Sequence, residues 1–254
     1  MRGRLLASAL LLAGAVTSAG SAGVASSGRL TVFAAASLTD VLPKLDTRPR
    51  YGFAGSDVLA AQIQQGAPAD VFAAASPKYP ELLYKQGLVQ KPVPFATNTL
   101  VLVVPKSNPA HIRTVDDLTK TGVKIVVGDP AVPVGSYTRT VLGNLGIAAA
   151  VLKNVVSQET DVREVLSKVA LGEAGAGFVY STDARTVHGQ VTVIKVPAWA
   201  QPKLQYGICV VSKSGNKTRA QAFINKVLSK SGQKQLLAYG FLPRVKPKPP
   251  TTKQ

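Results

Sequence analysis

Short runs of β-forming residues alternate along this chain with segments of helical periodicity, and that alternation most narrows the folds open to it. Residues 29–34 (RLTVFA), 50–54, 70–74 and 99–104 (TLVLVV) read as strands, and residues 37–45, 56–65 and 78–86 as the helices that follow the first three. In the second of these helices Val58, Leu59 and Ile63 recur at helical spacing, and Gly87 closes the third. The rhythm continues with a helix at 115–120, a strand at 124–127, a helix at 136–145 and a helix at 162–171. Strands at 177–179, 191–196 and 204–211 follow, then one or two helices over 220–238. Strand–helix–strand succession predicts an α/β protein with parallel sheets covered by helices.

The 254 residues are enough for one large or two small domains. The strands are too many for one comfortable doubly wound sheet of this size. The long strands near 99–104 and 204–211 bracket a central block. If both mark crossings between lobes, residues 29–98 and 207–243 form the first lobe and 99–206 the second; one continuous sheet is the alternative. Residues 244–254, with Pro247, Pro249 and Pro250 among lysines, read as a disordered tail.

The first 25 residues stand outside the pattern. Arg2 and Arg4 precede an apolar run, residues 5–16, broken only by Ser8 and Gly14, and small residues continue to Ala25. The run is too short to span a bilayer, so a signal peptide over 1–25, cleaved after Ala22 or Ala25, is expected, with an uncleaved anchor as the alternative. The mature protein is expected in the periplasm or on the cell-envelope exterior. With no cysteine after the run, a lipid-anchored lipoprotein is excluded. The single cysteine, Cys209, excludes an intramolecular disulfide and any Cys-based zinc or iron–sulfur site within one chain. The net charge of +17 comes from 30 Lys and Arg against 13 Asp and Glu. Arg2, Arg4, Arg244, Lys246, Lys248 and Lys253 lie in the leader and tail, and the other cations are scattered without a run of five. Such scatter favours solubility and attraction of anions, and no nucleic-acid partner is expected.

Catalytic motifs are missing. Ser56 and Ser136 each directly follow a glycine, the wrong offset for a nucleophile elbow. Gly172, Gly175 and Gly177 have the wrong spacing for a dinucleotide loop, and Cys209 falls inside an apolar strand. His111 and His188 read as loop residues. No enzyme is expected, and a secreted α/β hydrolase stays only as an alternative. A hydroxyl instead recurs at helix starts: Ser37 with Asp40 three residues on, a relaxed capping box; Ser56 before Asp57; Pro133-Val134-Gly135-Ser136; and Glu159-Thr160-Asp161-Val162. Each start presents unpaired N–H groups and the positive end of a helix dipole, so several converging would bind an anion without any cationic side chain. Serine and threonine cap helices everywhere, so no single cap carries this reading.

The motifs VFAAASLTDV (32–41), FAGS (53–56), QIQQGAPADVFAAAS (62–76), VGDPAVPVGSYT (127–138), DVREVL (161–166) and GFVYSTDA (177–184) resemble, in unbroken order from Leu30 to Leu242, the molybdate-binding proteins of bacterial ABC importers. The resemblance implies a type II periplasmic-binding-protein fold, two α/β lobes joined by hinge strands with the ligand in the cleft. It implies capture of molybdate, with tungstate as co-ligand, for a membrane permease; another tetrahedral oxyanion such as sulfate or thiosulfate is the alternative. By motif position the ligand contacts are the hydroxyl and backbone N–H of Ser37 and Ser56, the backbone N–H of Val134 and Val162, and the hydroxyl of Tyr180. These residues would meet molybdenum only as its oxyanion, with no direct metal ligand and no cofactor, in a monomer. Three departures from the family pattern are visible. The segment 38–55 is short, truncating the first helix near 46–49; Val134 stands where alanine is frequent; and Asp57 lies beside Ser56, expected to point outward.

Overall fold

The computed structural model describes residues 28–245. The expected signal peptide lies outside the described residues, as does all but the beginning of the expected tail. Ten strands occur among the described residues: β1 (Thr31–Ala35), β2 (Arg50–Ala54), β3 (Val71–Ala74), β4 (Val93–Thr97), β5 (Leu100–Pro105), β6 (Ile125–Gly128), β7 (Val155–Glu159), β8 (Ala176–Tyr180), β9 (Val191–Lys195) and β10 (Gln205–Val210). They form two five-stranded sheets, ordered β2-β1-β3-β10-β4 and β7-β6-β8-β5-β9. We call each sheet with its helices a lobe. The chain passes from first to second between β4 and β5 and returns between β9 and β10.

The two orders are equivalent. In each, three parallel strands lie side by side and the fourth, delivered from the other lobe, is antiparallel to its neighbours: β10 to β3 and β4, β5 to β8 and β9. The sheets are therefore mixed, where strand–helix alternation alone predicts parallel ones. The cause is direction of entry. β1–β3 and β6–β8 run towards the gap between the lobes, whereas a strand arriving across that gap starts there and runs away from it, so Leu100 pairs with Tyr180 and Gly207 with Ala74.

Helices α1 (Leu42–Leu45), α2 (Ser56–Gln64), α3 (Lys78–Lys85), α4 (Pro133–Asn144), α5 (Ala148–Leu152), α6 (Val162–Ala170), α7 (Ser181–Ala184), α8 (Lys217–Leu228) and α9 (Lys230–Ala238) cover the sheets. All six residues of β5 are buried, as its continuous apolar run demands of a strand covered on both faces. Leu59 and Ile63 of α2 and Leu83 of α3 pack with Phe72 and Cys209 on one face of the first sheet. Cys209 is buried there, its thiol pushed up by desolvation.

The expected helix at 115–120 is only a 3-10 turn, Asp116–Thr119. The 220–238 segment divides at Ser229, whose hydroxyl caps α9 by accepting from the Gly232 N–H. The shortened 38–55 segment is pinned in place. Asp46 accepts from the Arg48 side chain and pairs with Lys226 at 3.2 Å, which holds its carboxyl well below the usual carboxylate range. Tyr51 donates to the carbonyls of Leu42 and Asp46 across the same turn. Among the described residues no helix is long and apolar enough to cross a membrane.

Candidate binding cleft between the lobes

Ligand sites in open α/β sheets lie beyond the carboxyl ends of parallel strands, and here six such ends face one another. β1 ends in a 3-10 turn, Ala36–Leu38, that carries Ser37. β2 ends at Gly55, from which α2 starts with Ser56, and β3 is followed by Ala75. Opposite them, β6 leads to Val132-Pro133-Val134 at the start of α4, β7 to Asp161-Val162 at the start of α6, and β8 ends in Tyr180. Ser37, Ser56, Val134, Val162 and Tyr180 line a single cavity, two from one lobe and three from the other. Its free space is about 10 Å³, room for one water-sized body.

The hydrogen bonds around the cavity dictate where its protons point. The Ala75 N–H donates to Ser56 Oγ at 3.0 Å, so the Ser56 proton is left to point elsewhere. Ser37 Oγ lies 3.0 Å from the hydroxyl of Tyr206, a buried residue of β10. Tyr180 Oη is buried with no hydrogen-bond partner among the described residues. Burial pushes the phenols of Tyr180 and Tyr206 well up, so both stay protonated. Val134 and Val162 sit in the first turns of their helices, where backbone N–H groups lack intrahelical acceptors. The Asp161 carboxylate caps α6 by accepting from the N–H groups of Arg163 and Glu164, which leaves that of Val162 to the cavity. A Cβ at Gly135 would overlap the carbonyls of Gly128 and Asp129, so only glycine lets the start of α4 press this close to the end of β6.

None of the hydroxyls read at these four helix starts caps its helix: at the fourth the cap is the Asp161 carboxylate, and Thr160 donates to Glu164. Ser37 lies within the 3-10 turn and shares a hydrogen bond with the Tyr206 hydroxyl, Ser56 is the first residue of α2 behind Gly55, and Ser136 lies inside α4 behind Pro133. The hydroxyls of Ser37 and Ser56 are thereby released from capping at the cavity, whereas Ser136 does not line it. Tyr206 is the residue that sequence reasoning passed over: it stands in an apolar strand, and nothing local marks it.

Among the described residues no Lys, Arg or His lines the cavity. Arg163, next to Val162, donates through Nε to Asp183 Oδ1 at 2.5 Å and pairs across the gap with Asp40 of the first lobe, so its charge is already matched. Asp183 is fully buried, and desolvation pushes it up to about 6 despite that partner. Asp57 is not a lining residue, yet it does not point freely outward: its Oδ1 is buried without a partner and burial raises its pKa. A Cβ at Gly55 would overlap the Thr160 carbonyl of the opposite lobe. Tyr79 also reaches across, donating to the Ala131 carbonyl at 2.7 Å.

A cavity lined by donors, whose one carboxylate, Asp161, is taken up in capping α6, and shared by two α/β lobes defines a two-lobed protein built to hold a small anion. The model of the bacterial extracellular solute-binding proteins matches residues 30–242. The molybdate-binding protein ModA of Mycobacterium tuberculosis H37Rv is 38% identical, the match covering 93% of this chain and 95% of that protein. ModA of Escherichia coli K12 is 34% identical over 91% and 96%. The solved periplasmic molybdate-binding protein of Azotobacter vinelandii superposes with a TM-score of 0.74 at 22% identity, covering 86% of this chain and all of that one, a likeness of fold. The chain belongs to the bacterial extracellular solute-binding proteins, among relatives named for molybdate binding.

Proposed function

We propose that this chain captures molybdate as its tetrahedral dianion and delivers it to the membrane permease of an ABC importer, with tungstate as a second ligand. One observation carries the reading: the hydroxyls of Ser37, Ser56 and Tyr180 and the N–H groups of Val134 and Val162 converge from both lobes on space for one compact guest. Hydrogen bonds to a charged acceptor are short and strong, and helix starts add the favourable end of a dipole. A cavity without a cation holds the dianion by dipoles alone. With the Asp161 carboxylate engaged by the Arg163 and Glu164 N–H groups, no free carboxylate remains among the described lining residues to accept a ligand's proton, which favours a fully deprotonated anion. The anion is recognised through its oxygens, so no residue ligates the metal atom.

Because donors come from both lobes, the bound anion favours the closed state. The two bodies that close are residues 29–98 with 205–243, and residues 99–204; the boundary expected at 206/207 shifts because β10 already begins at Gln205 in the first sheet. The mature protein acts as an exported monomer that binds without catalysing and needs no cofactor. Calorimetric titration with molybdate, tungstate, sulfate and phosphate tests this. Molybdate and tungstate should bind most tightly and phosphate barely. Binding of sulfate alone would replace the ligand, and binding of none of the four would overturn the reading.

A further inference from the structure

We infer that Tyr206, held by Asn98, is a positioning residue that turns the Ser37 proton toward the cleft and thereby disfavours protonated oxyanions. The inference rests on the reading of the cleft as an oxyanion site and concerns a residue that does not line it. Asn98 lies in the first crossing between the lobes, and Tyr206 stands where the second crossing enters β10.

The orientation of the Asn98 amide follows from an unambiguous donor. The Thr99 backbone N–H lies 2.9 Å from one amide atom, which must therefore be the oxygen; Ser181 Oγ donates to the same atom at 2.9 Å. The other amide atom is then nitrogen, and its protons go to Thr182 Oγ1 at 3.0 Å and Tyr206 Oη at 3.4 Å. With its oxygen accepting from Asn98, Tyr206 has one proton to give, and the Ser37 oxygen at 3.0 Å receives it. Ser37 has accepted, so its own proton cannot return to Tyr206 and is directed to the cavity. Proton direction is thus passed from a backbone amide through three side chains to the ligand site. The ring of Tyr206 is fixed by edge contacts with Phe95, Tyr180 and Phe241, at centroid separations of 5.8, 5.9 and 5.4 Å, so its hydroxyl has little freedom to leave the chain of bonds.

With Tyr206 donating into one of its two lone pairs, Ser37 turns its proton toward the cleft and meets an oxyanion as a donor. Freed from Tyr206, the hydroxyl can rotate to present a lone pair there instead, and so can satisfy the P–OH of hydrogen phosphate.

The test is titration of the full mature chain and three variants with molybdate and with inorganic phosphate. Tyr206→Phe keeps the ring contacts and removes the proton that occupies Ser37. Molybdate affinity should fall several-fold while the molybdate-to-phosphate ratio drops at least about tenfold, the worth of one hydrogen bond to a charged group. Asn98→Asp replaces the donor with an acceptor of the same shape and inverts the chain. Tyr206 then donates to the new carboxylate, the Ser37 proton turns back to Tyr206, and molybdate binding should weaken by roughly a hundredfold. In the double variant the added charge remains but Ser37 is released, so affinity should recover about tenfold over Asn98→Asp alone. Repulsion by the carboxylate or simple loss of structure gives no such recovery. An unchanged molybdate-to-phosphate ratio in Tyr206→Phe overturns the inference, as does a double variant no tighter than Asn98→Asp. Should Asn98→Asp not fold, the ratio in Tyr206→Phe decides alone. If the parent binds neither molybdate nor any other oxyanion, the failure belongs to the proposed function beneath.

Discussion

Removing the Tyr180 hydroxyl should separate stability from affinity. Tyr180 is 1% exposed, and its Oη has no hydrogen-bond partner among the described residues. A buried hydroxyl without a partner costs on the order of 1–3 kcal/mol. Tyr180→Phe removes that cost while keeping the ring contact with Tyr206, so the melting temperature of the unliganded protein should stay level or rise. In the complex the same change deletes a donor to a charged acceptor, worth about 1.5–3 kcal/mol, or roughly ten- to a hundredfold in affinity. A tenfold weaker Kd at saturating molybdate subtracts about 1.4 kcal/mol from the ligand's stabilisation. At ~2–4 °C per kcal/mol for a domain of this size, the ligand-induced shift should shrink by about 3–6 °C. Thermal unfolding with and without molybdate, beside calorimetric titration, reads both quantities. A variant that melts lower without ligand yet binds as tightly as the parent would show the hydroxyl to be structural and refute the reasoning.

Gly55→Ala should cost molybdate affinity at least tenfold, because the added methyl overlaps the Thr160 carbonyl of the opposite lobe as well as Asp57 Oδ1 of its own; equal affinity in a titration would count against closure around Gly55. Asp183 has a folded pKa of about 6 against 3.8 for the free side chain, so the folded state holds its proton more strongly and stability falls as pH rises from about 4 through 6. Asp183→Asn should lose that limb, and denaturant midpoints of parent and variant that run parallel from pH 4 to 7 would contradict the assignment. The cationic surface should speed molybdate capture at low ionic strength and leave release nearly unchanged. Stopped-flow rates across a salt series check this, and a dissociation rate as salt-sensitive as association would place a cation at the ligand.

Local patterns carried the parts of this molecule whose physics is local. The run at Leu100–Pro105 announces a strand buried on both faces, and Val58, Leu59 and Ile63 announce a helix, because apolar spacing alone decides each. The five candidate ligand residues came from ordered motifs, and the fold draws them to one cavity although 143 positions separate Ser37 from Tyr180 in the chain. What stayed hidden depends on partners remote in sequence. β4 escapes notice because Pro94 interrupts it, and it survives as the outer strand of its sheet, where a missing N–H costs no ladder bond. β7, also an edge, is short and half exposed. Ser37 reads as a cap in sequence because serines usually are; only the arrival of Tyr206 from the far end of the chain gives its hydroxyl another task. Asp57 is half hidden for a similar reason: the opposite lobe crowds its surroundings.

The position of β10 inside the first sheet also fixes an order of assembly. All five strands of the second sheet come from the continuous stretch 100–195, so that sheet can be completed while synthesis is still under way. The first sheet cannot. Until residues 205–210 emerge, β3 and β4 lack the strand that lies between them, and each presents an open row of backbone groups of the kind that invites pairing with other chains. Closing the first sheet then means bringing the end of the chain back across an entire finished lobe, a cost that grows only logarithmically with the length spanned. A chain cut before β10 would hold one finished sheet and one with an unsealed edge, prone to aggregate through β3 and β4.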